Sequence, residues 1–140
     1  MPVRFAVVGS SGMFGSEMAN FLRSEDYEVT GFDRGSLNLE ESVGELSKKF
    51  RGFDVVINAV AYTAVDKAES EPELANKING DYAGKLAQAT GKAGAKFMHI
   101  STDYVFDGNS VTAYTTTDSP NPQGAYGRSK LLGEKLVRSS

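Results

Sequence analysis

Val3 to Val8 (VRFAVV) is apolar at most positions and stops at Gly9, the pattern of a buried strand closed by a turn. Met13, Ala19, Phe21 and Leu22 then recur at helical spacing before the polar stretch Arg23 to Asp26, and Tyr27 to Phe32 returns to a strand pattern closed by Asp33 and Gly35. Leu39, Val43, Leu46 and Phe50 make a second helical stripe, with Gly52 as its stop, and Asp54 to Asn58 reads as a third strand. One helix is expected from about Pro72 to Ala93, ended by Gly94, and a fourth strand over Lys96 to Ser101. Asp107 to Gly124 is rich in Asp, Asn, Thr, Ser and Pro and reads as a surface loop, after which the helical pattern resumes from Tyr126.

Strands that alternate with helices require crossover connections, because a tight hairpin cannot join parallel neighbours. The expectation is an α/β chain with a Rossmann-type, doubly wound parallel sheet, and at 140 residues there is room for one domain only. Composition narrows this little: 40% apolar and 24% charged residues are ordinary for a globular protein. The net charge of −3, with basic residues scattered along the chain, gives no electrostatic footprint for nucleic acid. The absence of cysteine excludes disulfides and thiolate zinc sites within this sequence. No stretch approaches the roughly 20 apolar residues of a membrane span, and no secretory signal pattern opens the chain, so a cytoplasmic protein is expected.

The first candidate chemistry lies between the first strand and the first helix, where Gly9, Gly12 and Gly15 have the spacing of a dinucleotide phosphate loop. Gly9 would permit the tight turn, Gly12 the approach of a pyrophosphate, and Gly15 the packing of the helix on the sheet, with the helix N-terminus facing the phosphates. Asp33 ends the second strand 18 residues after Gly15, near the offset at which a carboxylate binds the adenosine ribose. A strand cap is the other reading. Arg34, its neighbour, suits a 2′-phosphate, so NADH and NADPH both stay open.

Tyr126 and Lys130 stand four apart on a predicted helix and therefore share a face. A phenol, with an ordinary pKa of about 10, transfers protons at neutral pH more readily beside an ammonium, which favours the phenolate. The spacing alone is weak; Ser101, Thr102 and Asp103 at the end of the fourth strand, where open parallel sheets bind ligands, supply its context.

The glycine loop, Asn58 to Ala61 (NAVA), the Ser-Thr pair and YGRSK at 126–130 together resemble the extended short-chain dehydrogenase/reductases. Within them, residues 58–75, 99–108 and 119–135 are similar to the dTDP-4-dehydrorhamnose reductase family, over nearly the whole chain. The resemblance implies NAD(P)H-dependent reduction of the 4-keto group of a dTDP-linked 6-deoxysugar. Tyr126 would donate the proton, Lys130 would bind the nicotinamide ribose and favour the phenolate, Thr102 would hold the reacting oxygen, and Asp103 would lie at the substrate edge.

Met13 and Phe14 would join the three glycines along the cofactor, with Ala59, Ala61 and Thr63 further on and Asn38 and Leu39 flanking the adenine. The family often has Asp where Asn38 stands and Ala where Val60 stands. Relatives continue for about as many residues again, so residues 1–140 would be a partial nucleotide-binding domain lacking a C-terminal substrate domain and inactive in isolation. Magnesium and a homodimer are implied only for the longer protein.

Two other functions share the fold. One is a nucleotide-sugar dehydratase or epimerase, but dehydratases of that kind usually carry Thr-Asp-Glu where this chain has Thr102-Asp103-Tyr104, so the acid needed for elimination is missing. A non-catalytic relative, resembling the regulatory β subunit of methionine adenosyltransferase, would keep the fold as a binding module. His99, the only histidine, reads as a packed structural residue, and Phe5, Phe32, Phe53 and Phe97 read as core. Asp66, Lys67 and Glu69 fit either a solvated face or a place near substrate.

Overall fold

The computed structural model describes residues 2–140. Four strands, β1 (Arg4–Val8), β2 (Glu28–Phe32), β3 (Val55–Asn58) and β4 (Lys96–His99), form one sheet in the order β2-β1-β3-β4. Every pairing is parallel, so all four C-terminal strand ends lie along one rim. This is the doubly wound expectation. The alternation of strand residues puts Ala6, Val8 and Val56 on one face, and Val7 and Ile57 on the other. Because helices cover both faces, all five are almost wholly buried.

Helix α1 (Met13–Ser24) covers the face of Val7 and Ile57 with Ala19 and Leu22. Helices α2 (Val43–Phe50) and α5 (Tyr82–Ala93) cover the other with Leu46, Phe50, Leu86 and Ala89. The stripe that began at Leu39 therefore enters its helix only at Val43. Ser42 and Glu45 form a reciprocal capping box: Ser42 Oγ accepts from Glu45 N at 3.3 Å and Glu45 Oε2 accepts from Ser42 N at 2.9 Å. Leu39 still packs on the core from the preceding loop. The four phenylalanines are partly buried at the margins of the two clusters.

The single helix expected over residues 72–93 is three pieces. Helix α4 (Pro72–Asn76) opens it with proline at its start, a π-helical turn follows at Lys77–Asp81, and α5 completes it. A short helix α3 (Val65–Ala68) precedes them, unmarked by any apolar period because four residues are too few to show one. Strand β4 ends at His99, two residues earlier than its pattern, and a 3-10 turn occupies Asp103–Val105. Residues 107–124 form the expected loop, and α6 (Ala125–Arg138) packs against α4, the π turn, α5 and the 3-10 turn.

Candidate active site

The backbone after β1 turns at Gly9 with φ +85°, a left-handed conformation that side chains resist. A Cβ on Gly15 would stand only 2.1 Å from the Gly9 carbonyl oxygen, so α1 starts in direct backbone contact with the end of β1. Gly12 is the N-cap of α1 and offers no side chain to the first-turn N–H groups, and that turn carries no acidic residue. Unfilled donors and the positive end of the helix dipole therefore face the rim of the sheet, an arrangement suited to a diphosphate.

Beside this loop a cleft of about 770 Å³ runs across the strand ends. Its walls include Gly9, Gly12, Asp33, Arg34, Asn38, Leu39, Ala59, Ala61 and Thr63, nine of the residues singled out in the sequence. Met13, Phe14 and Gly15, the first residues of α1, do not line it, and Met13 and Phe14 are exposed. Asp33 serves partly as the strand cap: its Oδ1 accepts from Gly35 N at 2.9 Å and Ser36 N at 3.1 Å. These bonds, led by that from Gly35 and joined by the Ser36 hydroxyl, hold its carboxyl below the usual carboxylate range. Tyr62, Lys77, Ile78 and Tyr82 close the far wall.

Tyr126 and Lys130 lie at the second and sixth positions of α6, one turn apart. The helix meets the 3-10 turn that follows β4 through Gly127, where a Cβ would be 2.2 Å from the Tyr104 carbonyl oxygen. Lys130 is 3% exposed, and its Nζ donates to the Ile100 carbonyl oxygen at 2.5 Å. One turn on, Ser101 Oγ donates to Glu134 Oε1 at 2.5 Å. Thr102 Oγ1 accepts from Tyr104 N at 3.3 Å, and the Tyr104 ring meets Tyr126 edge-on at 5.6 Å between centroids. Thus the helix carrying Tyr126 and Lys130 is seated on the segment Ile100 to Tyr104.

Burial draws the Lys130 ammonium below its ordinary pKa, while the nearby Glu134 carboxylate opposes the change. His99 is lowered to about 4, by burial first and by the Lys130 charge second. Asn58 Oδ1 accepts from Val60 N at 3.0 Å, which turns Asn58 Nδ2 toward His99 Nδ1 at 3.2 Å. The neutral ring therefore carries its proton on Nε2, which is buried without a partner among the described residues. His99 is a packed residue beneath Lys130, in agreement with its sequence reading. Among the described residues no group of three or more His, Cys, Asp or Glu could hold a metal ion.

The family model described as the RmlD substrate binding domain matches residues 3–140. The chain belongs to this family. It is 43% identical over 136 residues to the dTDP-4-dehydrorhamnose reductase of Burkholderia thailandensis, covering 96% of this chain and 45% of that protein. It superposes on a dTDP-4-dehydrorhamnose reductase from Clostridium acetobutylicum with a TM-score of 0.90 and 40% identity, over 98% of this chain and 49% of the other. For the Bacillus anthracis dTDP-4-dehydrorhamnose reductase in complex with NADP the TM-score is 0.91 at 34% identity, over 99% and 50% of the two chains. The chain thus spans about half the length of the relatives it matches.

In this RmlD-family chain the element that joins cleft and helix is one the sequence reading missed. Asn79, 1% exposed in the π turn, donates to the Tyr62 carbonyl at 3.0 Å and to Ser129 Oγ at 2.9 Å, and accepts from Tyr62 N at 2.8 Å. Ser129 Oγ in turn donates to the Tyr126 carbonyl at 2.7 Å. The rings of Tyr62 and Tyr126 pack on the same cluster of Ala68, Ala75 and Ala125. One signal lay in the sequence, an Asn-Gly pair inside an otherwise helical run, a combination that breaks a regular helix.

Proposed function

We propose that this chain is the nucleotide-binding half of an NADPH- or NADH-dependent reductase. It would convert the 4-keto group of dTDP-4-dehydro-L-rhamnose to the alcohol of dTDP-L-rhamnose, in deoxysugar synthesis for cell-surface polysaccharide in the cytoplasm. The observation that carries this reading is the seating of Tyr126 and Lys130 on Ile100 to Tyr104, just past the end of β4 on the same side of the sheet as the glycine-lined cleft, whose walls include neither these two nor Thr102 and Asp103. Relatives 34% to 43% identical bear the reductase name, and one of them holds NADP.

In this reading Gly9, Gly12, Met13, Phe14 and Gly15 flank the pyrophosphate, Asp33 and Arg34 the adenosine ribose, and Asn38 and Leu39 the adenine. Ala59, Ala61 and Thr63 line the way to the nicotinamide. The reduced nicotinamide dinucleotide, when bound, supplies the hydride that reduces the sugar carbonyl. Thr102 holds the carbonyl oxygen, Tyr126 delivers a proton to it, and Lys130 offsets the phenolate charge and binds the nicotinamide ribose. Asp103 borders the sugar. The full-length protein would act as a homodimer, with no need of nucleic acid or membrane; among the described residues no helix is long and apolar enough to cross a membrane.

The test is oxidation of NADPH and of NADH with dTDP-4-dehydro-L-rhamnose by a protein extended to the length of its relatives. Turnover is expected, with Tyr126→Phe losing most of it while binding cofactor normally. An extended protein that binds cofactor yet reduces no sugar nucleotide would favour a non-catalytic binding module and overturn the proposal. The 140 residues alone are expected to bind cofactor weakly and turn over little or no substrate.

A further inference from the structure

Helix α6 begins at Ala125 with Gly124 as its N-cap, so the residue that normally supplies a capping oxygen has no side chain here. The first turn also contains no acidic residue. The missing acceptor comes from another element. Glu69, immediately after α3, places Oε1 2.6 Å from Ala125 N and accepts its hydrogen bond. Its Oε2 lies 3.9 Å from the Arg128 guanidinium, one turn into the same helix.

The glycine and the carboxylate are mutually fitted. A Cβ on Gly124 would stand 3.0 Å from Glu69 Oε1, closer than real Cβ contacts usually come, so a side chain at 124 would crowd the group that caps the helix. Ala68, the neighbour of Glu69, is fully buried against Ala125, so apolar packing anchors the end of α3 that carries the capping residue. A carboxylate at this end also faces the positive pole of the helix dipole.

The capped residue directly precedes Tyr126, in the part of a helix most prone to fray. We infer that Glu69 is a positioning residue: by capping α6 from outside the helix, it fixes the first turn and hence the placement of the Tyr126 phenol relative to Thr102. This rests on the reading of Tyr126 as proton donor. It gives Glu69, whose side chain is 56% exposed, a bonded place at the foot of the tyrosine helix.

The experiment uses the protein extended to the length of its relatives and compares Glu69→Ala, Glu69→Gln and the double variant Glu69→Ala/Gly124→Ser. The serine has room once the carboxylate is gone, and the extended backbone at Gly124, with φ −106° and ψ 164°, is that of an ordinary N-cap. Two readouts are taken: amide hydrogen exchange of the first turn of α6, and kcat and KM for sugar nucleotide and cofactor. Glu69→Ala is expected to raise exchange in that turn about fivefold to tenfold, in line with a lost N-cap, and to lower kcat by a similar factor with the cofactor KM unchanged. Glu69→Gln, which keeps an acceptor oxygen, should lose much less, and Ser at 124, whose hydroxyl oxygen would accept from the Tyr126 or Gly127 N–H instead of from Ala125 N, should restore protection of the turn at those amides and recover kcat in Glu69→Ala.

Unchanged exchange in Glu69→Ala overturns the inference, and so does a loss of kcat that the serine does not recover although exchange is restored. If exchange responds and is rescued while even the parent protein reduces no sugar nucleotide, the reductase reading fails and takes the catalytic role with it, leaving the cap itself established.

Discussion

Asn79 donates to Ser129 Oγ at 2.9 Å from inside a π-helical turn, and Ser129 lies between Tyr126 and Lys130 on α6. The wider turn carries the amide inward, where all three of its bonds are made to the Tyr62 backbone and to Ser129. The wall of the cleft and the tyrosine helix are therefore held by one side chain. Asn79→Ala would strand several buried polar groups and open a cavity, at an expected cost of about 2 to 4 kcal/mol. A fall in the urea midpoint with an unchanged m-value would check this, and a loss below about 0.5 kcal/mol would refute it.

The backbone contact between Gly15 and Gly9 leaves no space for a methyl group, because the atom it would meet, 2.1 Å away, is the carbonyl oxygen of Gly9 at the end of β1. Gly15→Ala is expected to push α1 off the strand, costing about 3 kcal/mol or more and weakening dinucleotide binding. Gly91 gives the opposite case. It is an exposed residue within α5, and a Cβ there would meet nothing within 4 Å, so Gly91→Ala should stabilise the protein by about 0.5 to 1 kcal/mol. Thermal melts of the two variants should move in opposite directions.

Asp33 and Arg34 behave differently in the fold although they are neighbours. Asp33 is committed through Oδ1 to the turn at Gly35 and Ser36, whereas Arg34 makes no ion pair among the described residues and lines the cleft. With the cofactor placed as proposed, Arg34→Ala should weaken NADPH about tenfold while changing NADH little, since only the former carries a 2′-phosphate. Equal losses for both, measured by titration of cofactor fluorescence, would assign Arg34 another role.

Much of this was legible in the chain because periodicity reports burial. The strands β1, β2 and β3 and the helix α6 lie within a residue or two of their patterns, since each has one apolar face or run to hide. The cleft followed from the same logic, as parallel strands put Gly9, Asp33 and Ala59 on one rim. Long-range polar bonds leave no period. Asn79 reaching Tyr62 and Ser129, Ser101 reaching Glu134, and Glu69 reaching Ala125 all join residues 17 to 56 apart in sequence. Such pairs become visible only when the elements are packed.

His99 makes a prediction whose sign can be worked out. Its pKa is lowered from 6.5 to about 4 in the folded protein, by burial and then by the Lys130 charge. Between those values the unfolded chain binds the proton and the folded one does not, so stability rises with pH across this window. The contribution is fully present above about pH 7 and is lost as pH falls through 6.5 toward 4. The full shift corresponds to about 3 kcal/mol, which screening by water around the partly exposed ring reduces. Carboxylates such as Glu45 and Glu71, held below their ordinary values by hydrogen bonds from Ser42 and Tyr62, lose their contribution at lower pH. His99→Gln keeps a polar partner for Asn58 but cannot titrate. Its urea midpoint should therefore change much less between about pH 7.5 and 5 than that of the parent protein, with acid unfolding below about pH 4 retained. An identical pH dependence in the two proteins would show that protonation of His99 is not what weakens the fold in that range.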